Sequence, residues 1–150
     1  MTGQDAGELL RGRGLRSTAQ RRAVLAALRV LPHASAADLE ERIGLSGPGG
    51  SSSAGLSHQG LYNVLEDLTR VHLVRRIEPA GSPTRFELRV GDNHHHLVCR
   101  SCGRIEDVDC AVGAAPCLDP VEDSGFTVDE AEVTWWGRCA DCRRASERPA

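Results

Sequence analysis

The segment His94-His95-His96-Leu97-Val98-Cys99-Arg100-Ser101-Cys102 organises the chain, because it brings three imidazoles and two thiols into nine consecutive residues. Thiolates in a closed tetrahedral set favour Zn²⁺, whereas imidazoles combined with carboxylates suit Fe²⁺, Mn²⁺, Zn²⁺ or Ni²⁺. The two kinds of ligand therefore predict two metal sites that share this segment.

Two Cys-x-x-Cys motifs define the first site. Cys99 and Cys102 form one motif and Cys139 and Cys142 form the other, with 36 residues between them. Four thiolates make a structural Zn²⁺ site that leaves no position for water, so this site is not catalytic. A pair of redox dithiols is the alternative, but two motifs without a thioredoxin-like context favour zinc. The ion would join the C-terminal segment to the strand at Cys99.

Cys110 and Cys117 remain outside these motifs. They are either ordinary small thiols or a redox pair, and the sequence keeps both interpretations open. The polar N-terminus lacks a signal-peptide pattern, and no apolar run reaches the ~18 residues of a membrane span. We therefore expect a cytoplasmic protein without membrane contact, whose six cysteines serve metal or redox chemistry.

His94 and His96 are the imidazole ligands of the second predicted site. On a strand, alternation puts these two side chains on one face and that of His95 on the other. A carboxylate would complete a mixed nitrogen and oxygen site. The candidate carboxylates are Glu87, Asp92 and Asp107. A solvated pair of strand histidines is the alternative interpretation.

Residues 1–90 form a basic, helix-rich half with 12 Arg against 9 Asp and Glu. Capping residues with helical apolar spacing predict three helices, and two apolar runs predict a hairpin. The helices are expected from Ser17 or Thr18 to about Val30, over 35–43 and over 57–70, and the strands over 73–77 and 84–88. This order is that of a winged helix-turn-helix domain. A flexible linker rich in Gly and Ser is expected over 47–55.

The helix over 57–70 is the expected recognition helix, because one face is apolar and the other is polar. The polar face carries Ser57, His58, Gln59, Tyr62 and Asn63. Together with the excess of Arg, this face predicts binding to double-stranded DNA. Arg21 and Arg22, in the first turns of an earlier helix, are either solvated or face an anion. A small α+β domain without DNA binding is the alternative.

Residues 91–150 are acidic, with 6 Arg against 12 Asp and Glu. Strands are predicted at 97–98, 104–108, 126–128 and 132–136, with a short helix within 116–125. This half is too small to bury a large core, so we expect metal binding and oligomerisation to stabilise it. The predicted fold class is α+β, with a winged-helix domain over 1–90 and a small α/β domain over 91–150.

The sequence does not predict an enzyme. A zinc deaminase would need His-x-Glu before its Cys-x-x-Cys motif, and the residue two after His94 is His96. The chain also lacks a Ser nucleophile elbow and a phosphate-binding glycine loop. A metal-storage protein and a thiol-redox enzyme are alternatives that need no winged helix, so salt-dependent duplex binding distinguishes them from a DNA-binding protein.

Taken together, the motifs resemble the ferric uptake regulator (Fur) superfamily over about 14–142. The matching motifs are Gly14-Leu15-Arg16 with Thr18-x-x-Arg21, Pro32-His33-x-x-Ala36, Tyr62-Asn63-x-Leu65, His94-x-His96-x-x-Cys99-x-x-Cys102-Gly103, Asp107 and Cys139-x-x-Cys142. The surroundings at 89–96 and 108–117 look closer still to the actinobacterial FurA and CatR branch, which is PerR-like. Members of that branch typically repress their own gene and a neighbouring catalase or catalase-peroxidase gene.

The resemblance implies a homodimer that binds a palindromic operator, with a C-terminal dimerisation domain. It also implies a sensing metal, Fe²⁺ or Mn²⁺, with Zn²⁺ or Ni²⁺ as substitutes in vitro. The implied ligands are His33, Glu87, His94, His96 and Asp107. A metal with ligands from both halves stabilises one relative orientation, and only that orientation fits two operator half-sites. The DNA-binding residues expected from motif and helix face are Arg16 near the minor groove, Tyr62 at a base, and Arg21, Ser57, Gln59 and Asn63.

Two positions disagree about the signal that is sensed. Asn63 is what peroxide-sensing (PerR-type) members of the superfamily carry after the recognition-helix Tyr. Glu87, in contrast, stands where peroxide sensors carry Asp and iron sensors often carry Glu. We expect a repressor that senses peroxide through Fe²⁺, by oxidation of a ligand histidine or through Cys110 and Cys117. A metal-status repressor without peroxide sensing is the alternative.

A further metal site that some members of the superfamily contain is not expected here. Asn93 and Ala131 occupy two of its ligand positions.

Overall fold

The protein forms two compact units, over residues 1–91 and 92–150. The computed structural model describes residues 3–45, 54–88, 90, 92, 94–109, 124–127 and 132–147. Helices and small sheets occur in both units, so the predicted α+β class is confirmed. Among the described segments, no helix is long and apolar enough to cross a membrane. Most of the predicted linker, over 47–53, lies outside the described residues.

The described part of the first unit contains four helices and a three-stranded sheet. Its elements are α1 Gly3–Gly12, α2 Ala19–Val30, β1 Ala34–Ser35, α3 Ala36–Ile43, α4 His58–Arg70, β2 Arg75–Ile77 and β3 Arg85–Glu87. Thr18, Ser35 and Ser57 cap α2, α3 and α4, and each side-chain oxygen accepts a hydrogen bond from the backbone N–H three residues later. The three helices predicted from capping residues therefore begin where expected.

Helices α2 and α4 contribute apolar stripes to the core of the first unit. The buried residues of α2 and α4 are Val24, Leu25, Ala27, Leu28, Leu61, Val64, Leu65 and Leu68. Full burial of one such aliphatic side chain stabilises the fold by about 1.5–3 kcal/mol relative to exposure. Gly60 lies within α4 because a Cβ atom there would come within 3.2 Å of the Leu56 and Ser57 side chains. The absence of a side chain at Gly60 therefore lets Leu56 and Ser57 pack closely against α4, despite the low helix propensity of glycine.

The sheet of the first unit has the order β1-β3-β2 and is antiparallel. Strands β2 and β3 form the predicted hairpin, although each is shorter than expected. Leu73 and Val74 precede β2 and are buried in the turn after α4 instead of forming strand. Ala34 pairs with Phe86, so the short strand β1 attaches the start of α3 to the hairpin.

The described elements of the second unit are β4 His94–Cys99, β5 Ile105–Asp109, β6 Thr134–Gly137 and α5 Ala140–Glu147. The sheet order is β5-β4-β6, with β5 antiparallel and β6 parallel to β4. Helix α5 was not predicted. The predicted strand over 126–128 is wrong at Phe126 and Thr127, which follow a turn and lie outside any strand. Most of the predicted helix within 116–125 falls outside the described residues.

Candidate metal centres and nucleic-acid interface

The four cysteines of the two motifs converge where β4 and β6 end. Parallel pairing puts Cys99 opposite Gly137, and Cys139 follows two residues later. The four Sγ atoms all lie within 4.8 Å of one another. The Sγ atoms of Cys102 and Cys139 are 3.8 Å apart, which is about the edge of a tetrahedron with metal–sulfur bonds of ~2.3 Å. The donor set and its spacing fit a tetrahedral zinc ion.

The cysteine cluster cannot carry four negative charges without a cation. The backbone N–H of Cys139 donates to Cys99 Sγ at 3.3 Å, and this hydrogen bond, with that from the backbone of Cys102, lowers the pKa of Cys99 to about 6. Contacts with the sulfur atoms of Cys139 and Cys102 raise the pKa of Cys142 to about 12. One thiolate is therefore stabilised by the chain alone, and ionisation of the whole set requires a bound positive ion.

In the first unit, strand pairing brings His33 to Glu87. Because Ala34 lies opposite Phe86 in the antiparallel pair β1–β3, the next pair outward is His33 and Glu87. His33 Nε2 and Glu87 Oε2 are 3.0 Å apart, and their side chains are only 9% and 2% exposed. The first unit therefore supplies one nitrogen and one oxygen donor at a single buried position.

The backbone at His33 is unusual for a residue with a side chain. Its φ is +60°, in the left-handed region that non-glycine residues rarely adopt. Arg85 Nη1 donates to the His33 carbonyl oxygen at 3.5 Å and to Asp38 Oδ2 at 3.0 Å. Asp38 in turn accepts hydrogen bonds from the backbone and hydroxyl of Ser35. Arg85 thus links the turn that presents His33 to the capping box of α3.

In the second unit, His96 and Asp107 face each other across β4 and β5. His94 lies two residues earlier, on the same face of β4. Asp107 Oδ1 is 3.6 Å from His96 Nε2 and 3.9 Å from His94 Nε2. Asp92 Oδ1 lies 2.7 Å from His94 Nδ1. A carboxylate that accepts from Nδ1–H fixes the ring so that Nε2 is the metal-binding atom, and that atom is the one nearer Asp107.

His95 is buried on the other face of β4, where its ring packs edge-on against Trp135 at a centroid distance of 5.4 Å. It belongs to the packing of β4 against β6.

Helix α4 presents a polar, exposed face at its N-terminal end. Tyr62 is 51% exposed, and the side chains of Gln59 and Asn63 are exposed and joined by a hydrogen bond of 3.0 Å. The Ser57 hydroxyl accepts from the backbone N–H of Gly60 at 3.1 Å as the N-cap. An aromatic ring and two amides one helical turn apart are suitable for reading base edges in a major groove.

Residues 12–135 match the ferric uptake regulator family. The chain belongs to this family. It is 51% identical over 138 residues to the transcriptional regulator FurA of Mycobacterium tuberculosis, with 92% of this chain and 90% of that protein covered. It is 29% identical over 147 residues to the peroxide operon regulator of Bacillus subtilis, with 94% and 93% covered.

Solved structures of the Fur family have the same fold. The Helicobacter pylori ferric uptake regulator, described as having three functional metal-binding sites, aligns with a TM-score of 0.67 at 20% identity, over 95% of each chain. The relatives at 51% and 49% identity are named transcriptional regulator FurA and ferric uptake regulation protein 1. The expectation that this Fur-family chain is a regulator and not an enzyme is therefore confirmed.

The structure gives the arginines of the N-terminal Fur-family motif different environments. Arg16 is exposed. Arg21 Nη2 donates to Asp67 Oδ2 at 2.6 Å, and its Nη1 donates to the Arg16 carbonyl oxygen at 2.9 Å. Arg22 Nη1 donates to the carbonyl and hydroxyl oxygens of Ser17, both at 3.0 Å. These contacts lie within the chain, an arrangement that the sequence did not predict for Arg21 or Arg22.

Two residues next to the motifs have roles that the sequence did not predict. Arg104 Nη2 donates to Asp141 Oδ2 at 2.8 Å and so joins the segment after the first Cys-x-x-Cys motif to the second. Asp92 was a candidate ligand, and the structure places it behind His94 instead. The proximity of each to a motif, two residues from Cys102 or His94, is the signal that could have found them. Cys110, Cys117, Asn93 and Ala131 lie outside the described residues.

Proposed function

We propose that the chain is a metal-dependent transcriptional repressor that binds palindromic double-stranded DNA as a cytoplasmic homodimer. The carrying observation is that both units present imidazole and carboxylate donors at strand ends or faces. His33 and Glu87 are paired in the first unit, and His94, His96 and Asp107 converge in the second. A metal ion bound by both sets would favour one arrangement of the winged-helix domain, and its loss would release that arrangement.

The winged-helix unit is the proposed DNA-binding domain, and the second unit the dimerisation domain. Exposed Arg16, Tyr62 and Asn63 support direct DNA contact, together with Gln59, while Ser57 acts mainly as the cap that begins the recognition helix. Two such helices in a symmetric dimer would read two half-sites of a palindrome.

Two different metals are proposed for the two ligand sets. Four cysteines in one unit suit a permanent structural Zn²⁺. Imidazole and carboxylate donors suit an exchangeable Fe²⁺ or Mn²⁺, with Zn²⁺ or Ni²⁺ as substitutes in vitro. The His33–Glu87 hydrogen bond uses the same atoms that would bind metal, so a bound ion would replace this hydrogen bond.

Peroxide is the proposed signal. Iron at the regulatory site would supply the redox chemistry that activates peroxide. The chain's part is to present His33, His94 and His96 as oxidisable ligands. Oxygenation of one ligand histidine weakens the donor set, so that the DNA-binding arrangement is no longer favoured. Catalase-type genes and the chain's own gene are the proposed targets, and Asn63 after Tyr62 is the sequence feature that supports a PerR-like operator.

A metal-status repressor without peroxide sensing is the second candidate. Glu87 favours it, because a glutamate at this position is common among iron sensors. The 51% identity to FurA, against 29% to a peroxide operon regulator, is compatible with either signal.

The test is binding to a duplex of the chain's own upstream region, titrated with Fe²⁺, Mn²⁺ or Zn²⁺, with and without hydrogen peroxide. Peroxide should release only the Fe²⁺ form, and mass spectrometry should find one added oxygen on His33, His94 or His96. His95, on the opposite face of β4, is the internal control for indiscriminate oxidation. Unchanged binding after peroxide, with no oxygen on these histidines and no oxidation of Cys110 or Cys117, would establish the metal-status alternative.

A further inference from the structure

Arg21 connects the two segments of the first unit that carry the proposed DNA contacts. Its Nη1 donates to the carbonyl oxygen of Arg16 at 2.9 Å, in the segment before α2. Its Nη2 donates to Asp67 Oδ2 at 2.6 Å, on the recognition helix 46 residues away in sequence. Because a guanidinium group is planar and rigid, two donors of one group fix the spacing between their two acceptors.

Both ends of this bridge are held in place. Thr18 caps α2 and accepts from the backbone N–H of Arg21 at 3.3 Å, which fixes the start of the helix that carries the guanidinium. Asp67 forms a second ion pair with Arg70 on the next turn of α4. Hydrogen bonding by Arg21 is the main reason that the pKa of Asp67 lies below its usual value. The carboxylate is therefore ionised at neutral pH, when DNA would be bound.

The same contacts argue against a phosphate ligand. Both terminal nitrogens of Arg21 already donate within the chain, to Asp67 and to the Arg16 carbonyl oxygen, and the Asp67 carboxylate would repel a phosphate placed beside it. The Arg21 and Asp67 side chains are only 18% and 30% exposed. Arg16, the other arginine of the motif Gly14-Leu15-Arg16 with Thr18-x-x-Arg21, is exposed and is therefore more accessible to DNA than Arg21.

We infer that Arg21 is a positioning residue that sets the spacing between the Arg16 segment and helix α4, so that contacts in neighbouring grooves are made in one register. Arg21 itself makes no DNA contact. This inference rests on the proposed DNA-binding function, and it replaces the direct contact that the sequence motif suggested for Arg21.

The substitution Asp67→Asn distinguishes positioning from simple charge attraction, because the two predict opposite signs. Removal of an acidic charge from a DNA-binding domain should strengthen binding if only long-range electrostatics matter. Loss of the bridge should instead weaken binding by about tenfold, a coupling typical of residues in one hydrogen-bonded network. The salt dependence should stay that of the wild-type chain, because no phosphate contact has been removed.

The experiment uses the full-length, metal-loaded chain and a duplex of its own upstream region, with dissociation constants measured at several salt concentrations. Asp67→Asn and Arg21→Gln should each weaken binding about tenfold with an unchanged salt slope, and the double variant should lose no more than either alone. Arg16→Ala is the reference for a DNA contact and should reduce the salt slope by about one. Glu66→Gln, which removes the same charge from the neighbouring residue of α4, should bind as tightly as wild type or slightly tighter.

A salt slope reduced by about one in Arg21→Gln, with Asp67→Asn at or above wild-type affinity, would show that Arg21 contacts phosphate and would overturn the inference. Wild-type affinity in both single variants would overturn it as well. Asp67→Asn provides the answer alone if Arg21→Gln does not fold. A wild-type chain that binds no duplex under any metal condition would remove the proposed function itself, a result distinct from either variant outcome.

Discussion

The two sets of metal donors differ in how the chain supplies them. All four cysteines come from the second unit, from two short motifs next to one parallel strand pair. The histidine and carboxylate donors are divided, with His33 and Glu87 in the first unit and His94, His96 and Asp107 in the second. Folding of a single unit can complete the cysteine set, whereas the proposed regulatory set would need donors from both units.

If both sets bind metal as proposed, this difference gives the two ions different roles. A closed thiolate site within one unit has no moving part, so it adds stability and carries no signal. The proposed divided site would favour one arrangement of the units when it fills, so its occupancy would be a signal. His94 and Cys99 stand on the same strand, and fixing the strand end at Cys99 would also fix the direction of the histidines.

Loss of the cysteine set should have the largest effect. The buried apolar side chains of the second unit, within its described residues, are Val98, Cys99 and Ile105. We expect a described core of this size to need the bound ion for stability. Cys142→Ser should therefore reduce bound zinc from one ion per chain to none and unfold the second unit, while the helical signal of the first unit persists. Atomic absorption and circular dichroism check this, with Cys110→Ser, the same change outside the motifs, as the control.

A native second unit in zinc-free Cys142→Ser would break the comparison, because the cysteine set would then have no structural role.

Loss of one histidine or carboxylate donor should leave zinc in place and remove the response. His96→Ala or Glu87→Gln should weaken Fe²⁺ binding by at least ~100-fold, since even residues behind the ligands change affinity by 10–100-fold. Duplex binding should then no longer depend on added metal, while zinc content and thermal unfolding remain near those of the wild-type chain. Isothermal titration of the zinc-loaded protein with Fe²⁺ under anaerobic conditions measures this. His72→Ala, a histidine outside both sets, is the matched control.

The equal effect of changes in either unit is the decisive part of this prediction. If His96→Ala abolished Fe²⁺ binding and Glu87→Gln left it unchanged, the regulatory donors would belong to one unit, and the contrast with the cysteine set would disappear.

The sequence predicted the parts of this arrangement that depend on local patterns. The helix starts at Thr18, Ser35 and Ser57 could be predicted, because a capping side chain accepts a hydrogen bond from a backbone N–H only three residues away. Helix α5 was missed because its exposed residues carry no apolar stripe, and it begins inside the second Cys-x-x-Cys motif. Strand β1 has only two residues, too few for a period to be visible. The partner of Arg21 could not be predicted, because Asp67 is distant in sequence and only the packing of α2 against α4 brings them together.

The stability that Asp38 contributes, through its contacts with Ser35 and Arg85 beside His33, should decrease at low pH. Burial raises the pKa of Asp38, but hydrogen bonds from Ser35 and the charge of Arg85 outweigh it, so the net pKa is lowered. A lowered pKa contributes stability above the ordinary value of 3.8, and this contribution is lost as pH falls through the folded-state value. Asp38→Asn should lower the free energy of unfolding by about 1 kcal/mol at pH 7, the usual contribution of a helix cap. The ion pair with Arg85 should add little to this, because solvent screens the half-exposed Asp38.

Denaturant unfolding followed by the helical circular dichroism signal at pH 7 and again near pH 3 measures this cost. The difference between wild type and Asp38→Asn should shrink at the lower pH. An equal difference at both would mean that the capping box acts without its charge.

The smallest effect concerns two histidines with the same backbone conformation and different roles. His72 follows the end of α4 and has a φ of +54°. The corresponding position after α3 is occupied by Gly44, with a φ of +83°. The left-handed conformation costs a residue with a side chain ~1–2 kcal/mol. Glycine avoids this cost, but it also raises the entropy of the unfolded chain, which offsets part of the gain in stability. His72→Gly should therefore raise the free energy of unfolding by about 0.5–1 kcal/mol, measured by urea unfolding, with Fe²⁺-dependent duplex binding unchanged. His33→Gly should give the same backbone relief and abolish that binding, because His33 is a proposed metal ligand. Equal loss of binding in both variants would mean that the strain, and not the imidazole, is what the first unit contributes.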